Sequence, residues 1–142
     1  MNTKLLIGGI IGGIASFLVG YLIFVLAIGN MLQAHTMPGI GREAPEFVHI
    51  FLGNLCFGFF LSYILTKSNT SGFGPSATMG FISGLLIALG FDLVSFGTTK
   101  VIVDITGLLV DTIAIAVLFA VVGGIIGVYL GMGGGTRGAV KS

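Results

Sequence analysis

Residues 101–131 read VIVDITGLLVDTIAIAVLFAVVGGIIGVYLG, an almost unbroken apolar run that carries two carboxylates, Asp104 and Asp111. About 20 apolar residues in a helix cross the hydrocarbon core of a bilayer, and this run exceeds that. Strands of a membrane barrel would alternate apolar and polar residues over roughly 10-residue segments, whereas this run is apolar on nearly every side, so a helix is favoured. Three more runs of similar character occur at 5–29, 47–65 and 76–97, joined by short links. The expected fold is therefore all-α: a polytopic membrane protein forming one four-transmembrane-helix bundle with glycine-rich helix packing. Composition agrees, since the 142 residues are 55% hydrophobic and only 8% charged. A mean hydropathy of +1.13 is too apolar for a soluble domain of this size.

The ends and links give the expected orientation. The run at 5–29 follows Lys4 as a signal peptide would, but it exceeds the usual ~7–15 apolar residues and no small-x-small cleavage site ends it, so it reads as a retained first helix. With four spans, Lys4, Lys67, Arg137 and Lys141 share one side and only Arg42 and Lys100 the other. The excess of basic residues predicts both termini in the cytoplasm, with the bacterial inner membrane as the setting. A formal charge of +1 offers no field for nucleic acid, which leaves membrane lipid as the expected surroundings. The single Cys56 cannot form an internal disulfide and reads as a small buried hydrophobe. Residues 30–46 read as an outward loop, and Ala44-Pro45-Glu46 as the start of the second helix, with proline in its first turn. Residues 67–75 form a polar turn, and 132–142 a flexible cytoplasmic tail whose glycines lack the strand and helix of a phosphate loop.

Glycine supplies 25 residues, and in spanning helices it lets backbones approach closely. At 100° per residue, Gly8, Gly9, Gly12, Gly13, Ser16, Gly20 and Ala27 share one face of the first helix. Asn54, Gly58 and Ser62 form a stripe on the second. Ala77, Gly84, Ala88 and Ser95 cluster on the third, with Asp92 at their edge. On the fourth, Asp104 and Asp111 lie opposite Ala116, Ala120, Gly123 and Gly127. Two protein-facing sides on one helix predict a homo-oligomer through those four small residues; a twisted monomer that satisfies both sides is the alternative. The repeat Gly9-x3-Gly13-x6-Gly20 against Gly80-x3-Gly84-x5-Gly90 slips register by one residue and is weak evidence of duplication.

Ionisable residues inside spans are costly and often functional. By helical rise, Asn54, Asp92 and Asp111 fall roughly 8–15 Å below the outer ends of their helices, so three helices can present them at one level. Two neighbouring carboxyls can share a proton or hold a cation, and the three residues are the candidate proton/cation or polar-core site. The competing expectation is that they are structural hydrogen-bonding groups that fix helix register. Asp104, near the start of the fourth helix and close to Lys100, reads as structural. Glu46 and His49 form an E-x-x-H pair, the weak metal candidates; without further ligands, an interfacial role without metal is expected. The phenylalanines read as apolar filler and Tyr21 as uninvolved. No nucleophile and base pair is visible, so no enzyme activity and no cofactor are expected.

The segments Gly13-x6-Gly20-Tyr21-Leu22-Ile23-Phe24, Leu52-Gly53-Asn54-Leu55 with Gly58, Gly90-Phe91-Asp92-Leu93 with Gly97-Thr98-Thr99, and Val110-Asp111 resemble those of small four-span bacterial membrane proteins of unknown function. The resemblance covers most of the chain and implies the architecture, with no activity attached. Small fluoride channels also have four spans, but Ser16-Phe17 stands where their arginine-tyrosine pair is expected. Two functions follow. One is a conductor or transporter of protons or a small cation through Asp92, Asp111 and Asn54. The other is a non-catalytic scaffold or accessory subunit whose glycine seams dock the helices of an unidentified membrane-protein partner.

Overall fold

The computed structural model describes residues 2–132, so the tail expected beyond Met132, with Arg137 and Lys141, lies outside the described residues. The chain forms α1 (Thr3–Tyr21), a π-helical continuation (Leu22–Ala27), a short α2 (Gly29–Ala34), α3 (Phe47–Lys67), α4 (Phe73–Thr98) and α5 (Ile105–Gly131). Four helices are long and apolar enough to cross a membrane: Thr3–Ala27, Phe47–Lys67, Phe73–Thr98 and Ile105–Gly131. Large apolar side chains stand outward around the bundle, among them Val48, Leu86, Phe91 and Val94.

Local chemistry sets the helix ends. The Asn2 side chain accepts from the Lys4 N–H at 3.1 Å and opens α1. At its far end the ladder widens, with the Ile28 N–H reaching back five residues to the Ile23 carbonyl at 2.9 Å. α5 begins at Ile105 and not near residue 101, because Asp104 caps it by accepting the Gly107 N–H at 2.8 Å. The residues before it are held extended against the first loop: the Met37 N–H donates to Val101 O and the Val103 N–H to His35 O, both at 3.0 Å. α3 begins at Phe47, after Pro45 instead of with it, since Glu46 takes a non-helical cap conformation at φ −89°, ψ 86°. At the other end of the bundle Gly72, at φ 83°, adopts a left-handed backbone that few other residues tolerate. Its N–H donates to the Gly127 carbonyl at 2.9 Å and ties the α3–α4 turn to α5.

α1 packs on α3, α4 packs on α5, and α5 also packs on α1 and α3, so α5 runs through the middle. The core joins Leu61 and Leu65 of α3 to Leu118, Phe119, Val122 and Ile126 of α5. Backbone contact without side chains holds both pairs. A Cβ on Gly58 would fall on Gly9, Gly12 and Gly13 of α1, and one on Gly80 would fall on the Phe119 carbonyl.

The small face expected to form an oligomer seam meets α4 of the same chain. Ala120, Gly123 and Gly127 face Ser76 and Gly80 of α4 in the same chain, and Ala116 is fully buried. A helix placed between two neighbours needs two protein-facing sides, and both are met within the chain. The α4 face that meets it repeats every four residues through Ser76, Gly80, Gly84, Ala88 and Asp92, all buried.

Gly58→Ala places a methyl group against main chain that cannot rotate away, and should cost about 1–3 kcal/mol. A Cβ on Gly53, one turn away, meets nothing within 4 Å, so Gly53→Ala should leave stability unchanged or raise it by up to about 1 kcal/mol. Reversible unfolding in detergent micelles measures the contrast.

Candidate functional site

Close approach of α4 to α5 buries Asp92, which is only 2% exposed. A carboxyl in such a place needs donors, and Thr112 of α5 supplies one: its Oγ1 donates to Asp92 Oδ2 at 2.6 Å. Asp111, one residue earlier on α5 and half-buried, is the neighbouring carboxyl to Asp92. An ionised carboxylate only accepts, so the two carboxyls can hydrogen-bond to each other only when one of them carries a proton. Among the described residues no basic side chain pairs with either aspartate.

Asp111 also faces the other side of α5, where a cavity of about 570 Å³ opens between α1, α3 and α5. Asn54 of α3 lines the same cavity. Its carboxamide is held in place, with Oδ1 accepting from Ser16 Oγ at 2.7 Å and Nδ2 donating to the Ile50 carbonyl at 2.8 Å. The second Nδ2 hydrogen and a second lone pair on Oδ1 remain available. Of the three residues expected at one level, Asn54 and Asp111 share the cavity, while Asp92 stands behind Asp111 and is closed off from it.

The cavity walls were not anticipated. Phe17 and Tyr21 of α1, Phe24 of its π-helical continuation, Phe57 of α3 and Phe119 of α5 line it, although the phenylalanines read as filler and Tyr21 as uninvolved. A signal was present. Phe17, Tyr21 and Phe24 are spaced i, i+4, i+7, and Phe47, Ile50, Asn54 and Phe57 are spaced i, i+3, i+7, i+10, so each set marks one helix face. The same helices touch through Gly9, Gly12, Gly13 and Gly58 toward the N-terminal end. Where aromatic rings replace those glycines the backbones must separate, and the space between the rings is the cavity.

The remaining candidates lie apart, at the loop end. Glu46 pairs with Arg42 through one carboxylate oxygen, and its Oε2 lies 2.7 Å from His49 Nδ1. Both its oxygens are thus engaged, and no group of three or more His, Cys, Asp or Glu side chains suited to a metal occurs among the described residues. Asp104 lies 2.7 Å from His35 Nδ1, so its side-chain partner is His35 and not the neighbouring Lys100. The Gly107 N–H, and after it the His35 hydrogen bond, hold the Asp104 carboxyl below the usual carboxylate range.

No protein-family model, no curated protein and no solved structure matches this chain.

Because the folded state depresses the Asp104 pKa, its contribution to stability is complete above the ordinary value of about 3.9 and is lost as pH falls through the depressed one. Thermal unfolding of the parent should therefore weaken below about pH 4. Asp104→Ala should lower the melting temperature at neutral pH and flatten that acid limb. An unchanged acid limb in the variant would place the sensitivity elsewhere.

Proposed function

We propose that this chain is an integral membrane protein in which the Asp92–Asp111 pair binds protons or a small cation as part of a conductor or transporter. The observation that carries the reading is a junction: Asp111 lines the cavity on one side of α5 and reaches Asp92 on the other. An acid pair without a basic partner, set in apolar helices, is an expensive arrangement that a purely structural hydrogen bond does not need. The four apolar helices support the membrane setting. The basic residues favour cytoplasmic termini, which turns the cavity and the His35–Asp104 contact outward.

Below the cavity Leu61, Leu65, Val122 and Ile126 close the bundle, and the fully buried polar side chains in that half are Ser62 and Ser76. A standing pore is therefore disfavoured, and a carrier that rearranges α5 against α1 and α3 fits better. The same closed half favours the second reading, a non-conducting scaffold or accessory subunit, in which the aspartates only fix the α4–α5 register.

Proteoliposomes carrying a trapped pH indicator separate the two. The transport reading expects a proton flux driven by an imposed gradient, reduced at least roughly tenfold by Asp111→Asn and by Asp92→Asn with folding retained. The scaffold reading expects no flux above protein-free liposomes from the parent.

A further inference from the structure

The cavity has a chemistry of its own, and it narrows what the acid pair receives. Its volume of about 570 Å³ falls in the ~300–1,000 Å³ range of sites that enclose drug-sized molecules. A single water occupies about 30 Å³ of liquid, so a bare inorganic cation would leave most of the space to be filled by solvent against apolar walls. Hard cations also require about six or more oxygen ligands, and the lining side chains offer only Asp111, Asn54 and the Tyr21 hydroxyl. An organic cation avoids both difficulties, because it brings an apolar body and a diffuse, weakly hydrated charge.

The walls suit such a body. Phe17, Tyr21, Phe24, Phe57 and Phe119 line the space, and aromatic faces attract a cation within about 6 Å of the ring centre, most strongly where water is excluded. Phe57 and Phe119 already hold each other edge to face at 5.4 Å, which fixes that side of the wall. Asp111 supplies the only carboxyl among the lining residues and no basic residue opposes it. An ionised Asp111 bears a single negative charge that one monovalent cation neutralises.

We infer that the open cavity between α1, α3 and α5 is a binding site for a monovalent lipophilic organic cation, anchored by Asp111 and flanked by the aromatic side chains that line it. This rests on the reading of the acid pair as a proton or cation site and names the substrate class. The cation and a proton compete for the Asp111 carboxylate. The titratable groups around Asp111 are Asp92 on α4 and Tyr21 on α1; α3 presents none to the cavity, and α5 presents only Asp111 itself. Since Asp92 is sealed behind Asp111, the competition is read at Asp111.

The test uses the full chain in lipid nanodiscs with tetraphenylphosphonium as the probe, and tetraphenylborate as a control of matching shape and opposite charge. The expected result is saturable binding of tetraphenylphosphonium at one site per chain, and no tetraphenylborate binding beyond its uptake by protein-free nanodiscs. Binding should weaken on acidification and fall at least roughly tenfold in Asp111→Asn. Phe24→Ala, which leaves the acid pair intact, should weaken it less. Saturable, protein-dependent binding of both ions, or tetraphenylphosphonium binding unchanged by Asp111→Asn, would overturn the inference, because both describe an apolar gap that does not select charge. The charge comparison needs only the parent protein, so it stands even if a variant fails to fold. Asp111-dependent proton flux without tetraphenylphosphonium binding would sink the inference and leave the proton reading. Asp111-dependent binding without flux would support the inference and remove transport.

Discussion

Backbone contact between α4 and α5 sets the position of Asp92 and Thr112, the buried polar pair at that seam. Gly80 lies on the Phe119 carbonyl, and Gly123 and Gly127 lie on Ser76, so the two helices approach more closely than any pair carrying side chains at those positions. That approach buries Asp92 at the seam and leaves Thr112 and Asp111 as its neighbours. A larger residue at Gly80 or Gly123 would separate the helices and part these groups. The acid pair is thus a consequence of glycine placement as much as of the aspartates themselves.

The opposite half of the design uses bulk. α1 and α3 meet through Gly9, Gly12, Gly13 and Gly58 near the N-terminal end and through Phe17, Phe24 and Phe57 around the cavity. Tight contact at one end and separation at the other make a wedge, and α5 closes its third side with Asp111 facing in. The segment above the wedge is tied across the bundle by His35, Met37, Val101 and Val103, with Asp104 capping α5 at the same point. Pro45 and Phe47, at the start of α3, also contribute to the cavity lining.

Much of the architecture was legible from residue type alone. Apolar length marked four helices, because crossing length is a local property of the chain. Helical rise placed Asn54 and Asp111 at one depth, and the structure brings both to one cavity. What depended on pairing was not legible. The small face of Ala116, Ala120, Gly123 and Gly127 announces a helix neighbour but cannot say whether that neighbour is α4 or a second chain. The start of α5 moved to Ile105 because residues 101–103 pair with a loop some sixty residues earlier, which no local propensity records. The aromatic walls were missed for the same reason: spacing shows that Phe17, Tyr21 and Phe24 share a face, but a cavity exists only where two such faces fail to close.

The account stands on Asp92 and Asp111 acting as one unit across the α4–α5 seam, and a double-mutant cycle on unfolding free energy in detergent micelles measures that directly. Asp92→Asn, Asp111→Asn and the double variant should be strongly non-additive, with a coupling energy of about 1–3 kcal/mol, as expected for groups that share a hydrogen bond and a proton. Additivity within about 0.5 kcal/mol would mean that the two carboxyls do not interact, and would contradict both the shared-proton pair and the function built on it.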